Sequence, residues 1–140
     1  MNRLFQVKRS ENNVDFIILI IRLSIATLMI FHGLLKLNKL LAGGEIQFPD
    51  PLGVGSTLSL GLVVFAEVIC SFLIAIGLGT RLASIPLIIT MLVAVFVIHG
   101  ADPINAKEMG ILYLLFYLLL FVTGSGKFSI DNFISKKSRF

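Results

Sequence analysis

Two charged residues interrupt long hydrophobic stretches of the sequence. If each stretch is helical, with about 1.5 Å of rise per residue, Arg22 lies roughly 12 Å and Glu67 roughly 16 Å from the same end of the helices. A charge near the centre of a bilayer is costly unless it is paired. We therefore expect Arg22 and Glu67 to form an ion pair between the first and second helices, either for folding alone or together with binding or catalysis.

Two histidines share a depth near the opposite end of the predicted helices. His32 lies about 27 Å along the first helix and His99 about 26 Å along the third, and Glu108 follows in the next loop. Histidine can relay protons, bind a metal or donate a hydrogen bond to a quinone carbonyl, whereas a histidine at a helix end can also simply be hydrated. Two facing imidazoles can ligate haem. However, the sequence has no dense ligand motif such as HExxH, so we expect neither haem nor another metal site.

Two tyrosines, Tyr113 and Tyr117, are four residues apart in the last hydrophobic stretch and therefore share a helix face. Tyr117 is expected near the depth of Glu67, and Tyr113 closer to the histidines; ordinary aromatic packing is the alternative. The candidate interior polar site consists of Arg22, His32, Glu67, His99, Glu108, Tyr113 and Tyr117.

The composition shows what kind of element must position these residues. Of 140 residues, 56% are hydrophobic and 14% are charged, whereas soluble domains have about 25% charged residues. The mean hydropathy is +0.96. So little charge cannot coat a soluble globule, and the single cysteine, Cys70, excludes a disulfide scaffold.

Four hydrophobic segments are long enough, or nearly so, to cross a bilayer as helices. They cover about residues 14–35, 56–78, 82–101 and 109–123. Their side chains do not alternate between apolar and polar, as the strands of a membrane barrel would require. The sequence thus predicts an all-α transmembrane four-helix bundle that forms one integral membrane domain over residues 1–140.

The distribution of basic residues predicts the orientation in the membrane. Eight lysines and arginines lie at the termini and in the loop between the second and third segments, against three on the other side. By the positive-inside rule both termini are cytoplasmic, and residues 127–140 form a cytoplasmic tail that could fold as a short amphipathic helix. The basic residues follow no nucleic-acid-binding motif, so no nucleic acid partner is expected despite the net charge of +4.

The order and spacing of these residues resemble one known family. The shared pattern comprises Arg22, His32, Gly33 and Lys36; Glu67 and then Gly77, Leu78, Gly79, Thr80 and Arg81; His99; and Glu108, Tyr113, Gly124, Ser125, Gly126, Ser129 and Asp131. The chain resembles the DoxX family of small four-span bacterial membrane proteins, although that family usually has a proline where this chain has Ser125. The resemblance implies a multi-pass protein of the bacterial inner membrane whose Arg22, His32, Glu67, His99 and Glu108 face a common interior.

The family is named from membrane subunits associated with quinone-linked sulfur oxidation, and other members look like components of membrane oxidoreductase complexes. We therefore expect a subunit of a membrane redox complex that binds a quinone or a similar lipophilic molecule. Because the chain has no cofactor motif of its own, an oxidoreductase partner would supply the rest of the chemistry, and whether this chain is itself an enzyme stays open. The alternatives are a small-solute permease or sensor, which would need a homo-oligomer, and a non-catalytic assembly factor.

Overall fold

The computed structural model describes residues 10–138. Within this range the chain is helical and has no strands. The basic residues Arg3, Lys8, Arg9 and Arg139, which contribute to the orientation argument, lie outside the described residues. The described range leaves out residues 1–9 of the chain and residues 139–140 at the end of the predicted tail.

Within residues 10–138, four helices are long and apolar enough to cross a membrane, which confirms the predicted fold class. They are α1 (Glu11–Leu41), α2 (Ser56–Ile76), α3 (Thr80–Ile98) and α4 (Ile104–Thr123). A short fifth helix, α5, follows at Ile130–Lys137. Helix α1 is longer than the predicted segment, so Lys36 and Lys39, which were expected in the first loop, lie within the helix.

The four long helices run alternately up and down. Helix α1 packs against α2 and α4, and α3 packs against the same two helices. The near end of the bundle is the end where α1 and α3 begin and where α2 and α4 terminate. The opposite end is the far end. The buried core takes small and branched side chains from all four helices, including Ala26, Ile74, Leu87 and Leu120.

Two of the long helices contain a wider turn. Residues Phe65–Cys70 of α2 and Val93–Ile98 of α3 have π-helical hydrogen bonding. Such segments are rare and are often found at functional sites, because they change the direction of side chains within an otherwise regular helix. In this bundle Phe65–Cys70 lies near the middle of α2, and Val93–Ile98 forms the last part of α3, at the far end.

The turn between α2 and α3 depends on glycine. The backbone N–H of Leu78 donates to the carbonyl of Leu73, and that of Gly77 donates to Ile74, which is the Schellman arrangement that ends a helix. Gly77 has φ +72°, and an added Cβ would lie 2.8 Å from Nη1 of Arg22. Glycine is therefore required both for the turn and for the approach of Arg22.

Candidate functional site

A buried ion pair joins α1 to α2. Glu67 is 2% exposed and lies in the π-helical segment of α2. Its Oε1 accepts a hydrogen bond of 2.5 Å from Nζ of Lys36, whose side chain is 34% exposed. Lys36 therefore reaches from the last turns of α1 to a carboxylate inside the bundle, with part of its stem at the surface.

This pair is possible because the two helices approach closely at Gly33. A Cβ added there would lie 2.7 Å from Cγ2 of Val68, 2.9 Å from Cβ of Glu67 and 3.0 Å from its carbonyl carbon. Gly33 and Lys36 are three residues apart and lie on the same helix face. The glycine thus brings the α1 backbone against α2, and the lysine one turn later pairs with Glu67.

A cavity of about 420 Å³ lies beside the ion pair. Four side chains on its wall carry polar atoms: Lys36, Glu67, Ser59 and Thr90. The rest of the lining is largely apolar and comes from α2, α3 and the loop between α1 and α2. Its size and its few polar groups are typical of a site for a small lipophilic molecule.

Both π-helical segments contribute to the lining of this cavity. Phe65 and Ala66 contribute from α2, and Val93, Ala94 and Ile98 contribute from α3. Each segment therefore turns side chains toward the same space.

The cavity also borders the outer surface of the bundle. Leu62, Phe65 and Ile89 line it and are about half exposed, between 49% and 53%. The apolar outer surface of these helices is the surface that meets lipid. A lipophilic molecule could thus reach the cavity sideways, between α2 and α3.

The loop between α1 and α2 covers the far end of the cavity with Phe48, Pro49, Pro51 and Leu52. Asp50 fastens this loop to the start of α2. Its carboxylate accepts hydrogen bonds of 2.8 Å from the Ser59 hydroxyl, 2.8 Å from the N–H of Gly55 and 3.0 Å from the N–H of Val54. These bonds, first that of Ser59 and then that of Gly55, lower the pKa of Asp50 below its ordinary value.

Buried hydroxyl groups lie on the inner side of Glu67. Ser71 follows Glu67 by four residues, and Tyr117 of α4 lies beside Ser71; both side chains are fully buried. The hydroxyls of both residues and Oε2 of Glu67 have no hydrogen-bond partner among the described residues. Tyr113 stacks on Tyr117 with 6.2 Å between ring centroids. Polar groups therefore extend from the cavity wall into the core.

The predicted pair between Arg22 and Glu67 is wrong. Arg22 is buried, but its guanidinium donates to backbone carbonyls at the near end: to Ser125, to Phe128 at 2.9 Å and to Ala75 at 3.3 Å. Ala75 is eight residues beyond Glu67 on α2, a distance of about 12 Å along the helix axis. The prediction measured the depths of Arg22 and Glu67 from the ends of their helices. Because α1 is longer than α2, the ends of the two helices do not lie at the same level.

Arg22 has a structural position instead. It joins α1 to the end of α2 and to the segment that connects α4 with α5. Three carbonyl acceptors suit the forked guanidinium, which carries several donors in one plane. The guanidinium of Arg22 therefore holds these segments together at the near end of the bundle.

The remaining predicted site residues lie nearer the surface. His32 is exposed and packs edge-on against Tyr113, with 6.3 Å between ring centroids. Nδ1 of His99 lies 2.7 Å from Oδ2 of Asp102 in the loop between α3 and α4. Glu108 is exposed on α4. The structure thus brings Glu67, Tyr113 and Tyr117 together in the interior, with His32 at its edge, and places Arg22, His99 and Glu108 elsewhere.

Two residues of the candidate site were not among those predicted. Lys36 was assigned to a loop, and its position three residues after a helical glycine was the signal that could have placed it on the α2-facing side. Ser71 lies four residues after Glu67 and so shares its helix face in sequence, but its burial beside Tyr117 depends on packing.

Comparisons with known proteins agree with the membrane architecture. The DoxX family model matches residues 17–100. An uncharacterized protein of Haemophilus influenzae is 30% identical over 90% of this chain and 99% of its own length, and a second one is 31% identical over 85% and 83%. An uncharacterized membrane protein of Mycobacterium tuberculosis is 27% identical over 67% of this chain and 72% of its own length.

No solved structure matches the chain. The family match covers most of α1, all of α2 and α3, and the ion pair of Lys36 with Glu67. With that match and a relative that aligns along almost its whole length, this four-span membrane protein belongs to the DoxX family.

Proposed function

We propose that the protein binds a quinone or a similar lipophilic molecule in the cavity between α2 and α3. The observation that carries the proposal is the ion pair of Lys36 and Glu67 on the wall of an otherwise largely apolar cavity of about 420 Å³. A quinone has an apolar ring and tail and two carbonyl oxygens. Its carbonyl could accept a hydrogen bond from the Lys36 ammonium, while the apolar walls contact the ring.

Glu67 is suited to the protons that accompany quinone chemistry. A carboxyl group on the cavity wall can exchange a proton with a bound hydroquinone. In this proposal the chain binds and orients the quinone, and electrons come from or go to an oxidoreductase partner, because the sequence holds no redox motif.

The same proposal assigns the protein to the bacterial inner membrane, where such quinones dissolve. The near end, with its basic residues, would face the cytoplasm. The cavity would then lie in the half of the bilayer further from the cytoplasm.

Quinone binding can be tested with the chain's own fluorescence. The sequence has no tryptophan and two tyrosines, both on α4 and both near Glu67 or its neighbours. A quinone in the cavity should quench tyrosine emission when the purified protein is titrated with decylubiquinone or a short-chain menaquinone in detergent micelles. We expect saturable quenching, and a roughly tenfold or greater loss of affinity for Glu67→Gln and Lys36→Met, equivalent to one charged hydrogen bond or more.

Matched variants separate the site from general effects. Glu108→Gln and Lys107→Met remove one charge of each sign on α4, away from the cavity, and should bind like the wild type. Ala94→Leu fills the cavity from α3 without touching the ion pair and should also weaken binding. Absence of saturable quenching by both quinones, or unchanged affinity in all three cavity variants, would overturn the proposal.

A further inference from the structure

The short helix α5 has an unusual orientation on the bundle. Asp131 accepts a hydrogen bond of 2.8 Å from the N–H of Gly79 and donates its own N–H to the carbonyl of Gly77 at 3.0 Å. With Asn132 and Ser135, it also lines a cavity of about 390 Å³ against the start of α3 and the end of α4. The polar face of α5 is therefore the one that meets the protein.

The apolar face of the same helix points away from the bundle. Ile130, Phe133 and Ile134 follow the i, i+3, i+4 spacing and are 38%, 71% and 51% exposed. Phe128, just before the helix, is 53% exposed. In an ordinary surface helix the apolar stripe faces the core. In α5 the arrangement is reversed, so its apolar face must be covered by something other than the bundle.

Two exposed lysines accompany this face. At 3.6 residues per turn, Lys137 lies between Ile130 and Phe133 around the helix, at its C-terminal end, and Lys136 lies at the edge of the face beside Phe133. Lys127 is already used at the near end, where its Nζ lies 3.1 Å from Oδ1 of Asn12 and 3.5 Å from Asp15. The acidic residue of α5, Asp131, is bound on the opposite side, so it does not reduce the positive charge of the outward side.

We infer that α5 binds the acidic phospholipid surface of the bilayer that the bundle spans, with Ile130, Phe133 and Ile134 in the headgroup boundary and Lys136 and Lys137 on anionic headgroups. The helix begins seven residues after the end of α4 at Thr123, so it is held close to the membrane surface. Exposed aromatic and aliphatic residues flanked by lysine are suited to this depth, and lysines near an anionic surface add to the attraction. This inference does not depend on quinone binding.

The depth of each face can be measured on the full chain in lipid vesicles. In a Cys70→Ala background, which removes the chain's one cysteine, Phe133→Cys and Ser135→Cys are each labelled with the fluorophore NBD. We expect the label at Phe133→Cys to be quenched by lipids brominated on the acyl chain, and the label at Ser135→Cys to be quenched much less. Equal quenching at the two positions would overturn the inference.

A label at Phe133→Cys that resists both brominated lipid and aqueous iodide would also overturn it, because a protein would then cover the face.

The role of charge is tested by comparing phosphatidylcholine vesicles with vesicles that also contain phosphatidylglycerol. Quenching at Phe133→Cys should rise with phosphatidylglycerol, roughly severalfold, and Lys136→Gln with Lys137→Gln should remove the rise. The control variant, Lys39→Gln with Lys107→Gln, loses the same charge at the far end and should keep the rise in quenching. If both double variants lose the rise equally, headgroup binding by α5 is refuted.

Discussion

Replacing Gly33 by alanine tests the close contact that brings Lys36 to Glu67. The new Cβ would lie 2.7 Å from Cγ2 of Val68, 2.9 Å from Cβ of Glu67 and 3.0 Å from the Glu67 carbonyl carbon. The Val68 methyl group can rotate, but the two Glu67 atoms belong to the backbone or adjoin it. Helix α1 must therefore move away from α2, and the ion pair lengthens with it.

The size of the effect follows from two opposing contributions. Overpacking a tight contact costs about 1–3 kcal/mol, whereas alanine is favoured over glycine in a helix by about 1 kcal/mol. We expect Gly33→Ala to lower the free energy of unfolding by about 1–2 kcal/mol, because the contact is with backbone rather than with a flexible side-chain tip.

A second glycine provides a matched control. Gly61 lies within α2, and an added Cβ there meets no atom within 4 Å. Gly61→Ala should therefore stabilise the protein by up to about 1 kcal/mol, so that the two variants differ by about 2–3 kcal/mol. Because the helix-propensity contribution is common to both, this difference isolates the contact.

The assay is reversible unfolding in mixed micelles, followed by far-UV circular dichroism as sodium dodecyl sulfate is increased. Quinone titration of the same samples should show weaker binding for Gly33→Ala and normal binding for Gly61→Ala. If the two free energies of unfolding agree within about 0.5 kcal/mol, the close approach of α1 and α2 at Gly33 is refuted.

Three further substitutions test other parts of the structure. Arg22→Lys cannot serve three carbonyls and should lower the free energy of unfolding by about 3 kcal/mol in the same titration, with Arg81→Lys, an exposed arginine, as control. Tyr117→Phe removes a buried hydroxyl without a hydrogen-bond partner and should leave the melting temperature unchanged or raise it; a clear fall would show that the hydroxyl is bonded. Because hydrogen bonds lower the pKa of Asp50, its hold on the loop is complete above the ordinary aspartate pKa and is lost as the pH falls through the lowered pKa. Limited proteolysis of residues 42–55 should therefore accelerate in acid, and Asp50→Asn should weaken this dependence; an unchanged acid response would contradict the assigned contact.

The fold could be predicted because bilayer thickness leaves few alternatives. Continuous apolar runs of about 20 residues can satisfy their backbone groups in lipid only as helices, and four such runs are present in the described chain. The burial of Arg22 and Glu67 was also predictable, since both stand in the middle of such runs.

The partners of these charges could not be predicted from depth alone. Depth along a helix is a one-dimensional measure, and it fails when helices differ in length, as α1 and α2 do. The π-helical segment around Glu67 rotates that side chain relative to a regular helix, and no periodic pattern in the sequence marks it. The cavity beside it is lined by residues of this segment and by the loop that Asp50 holds.

The unequal helix lengths set how this bundle meets membranes of different thickness. Helix α1 has 31 residues, while the other spans have 19 to 21; at about 1.5 Å per residue these correspond to about 46 Å and about 30 Å, against a hydrocarbon core of about 30 Å. The apolar part of α1, about residues 14–35, is only about 33 Å long, so the polar ends of α1 project beyond the hydrocarbon core, whereas α2, α3 and α4 fit within it. A change in bilayer thickness that tilted α1 relative to α2 would be resisted by the tight contact at Gly33, beside the ion pair.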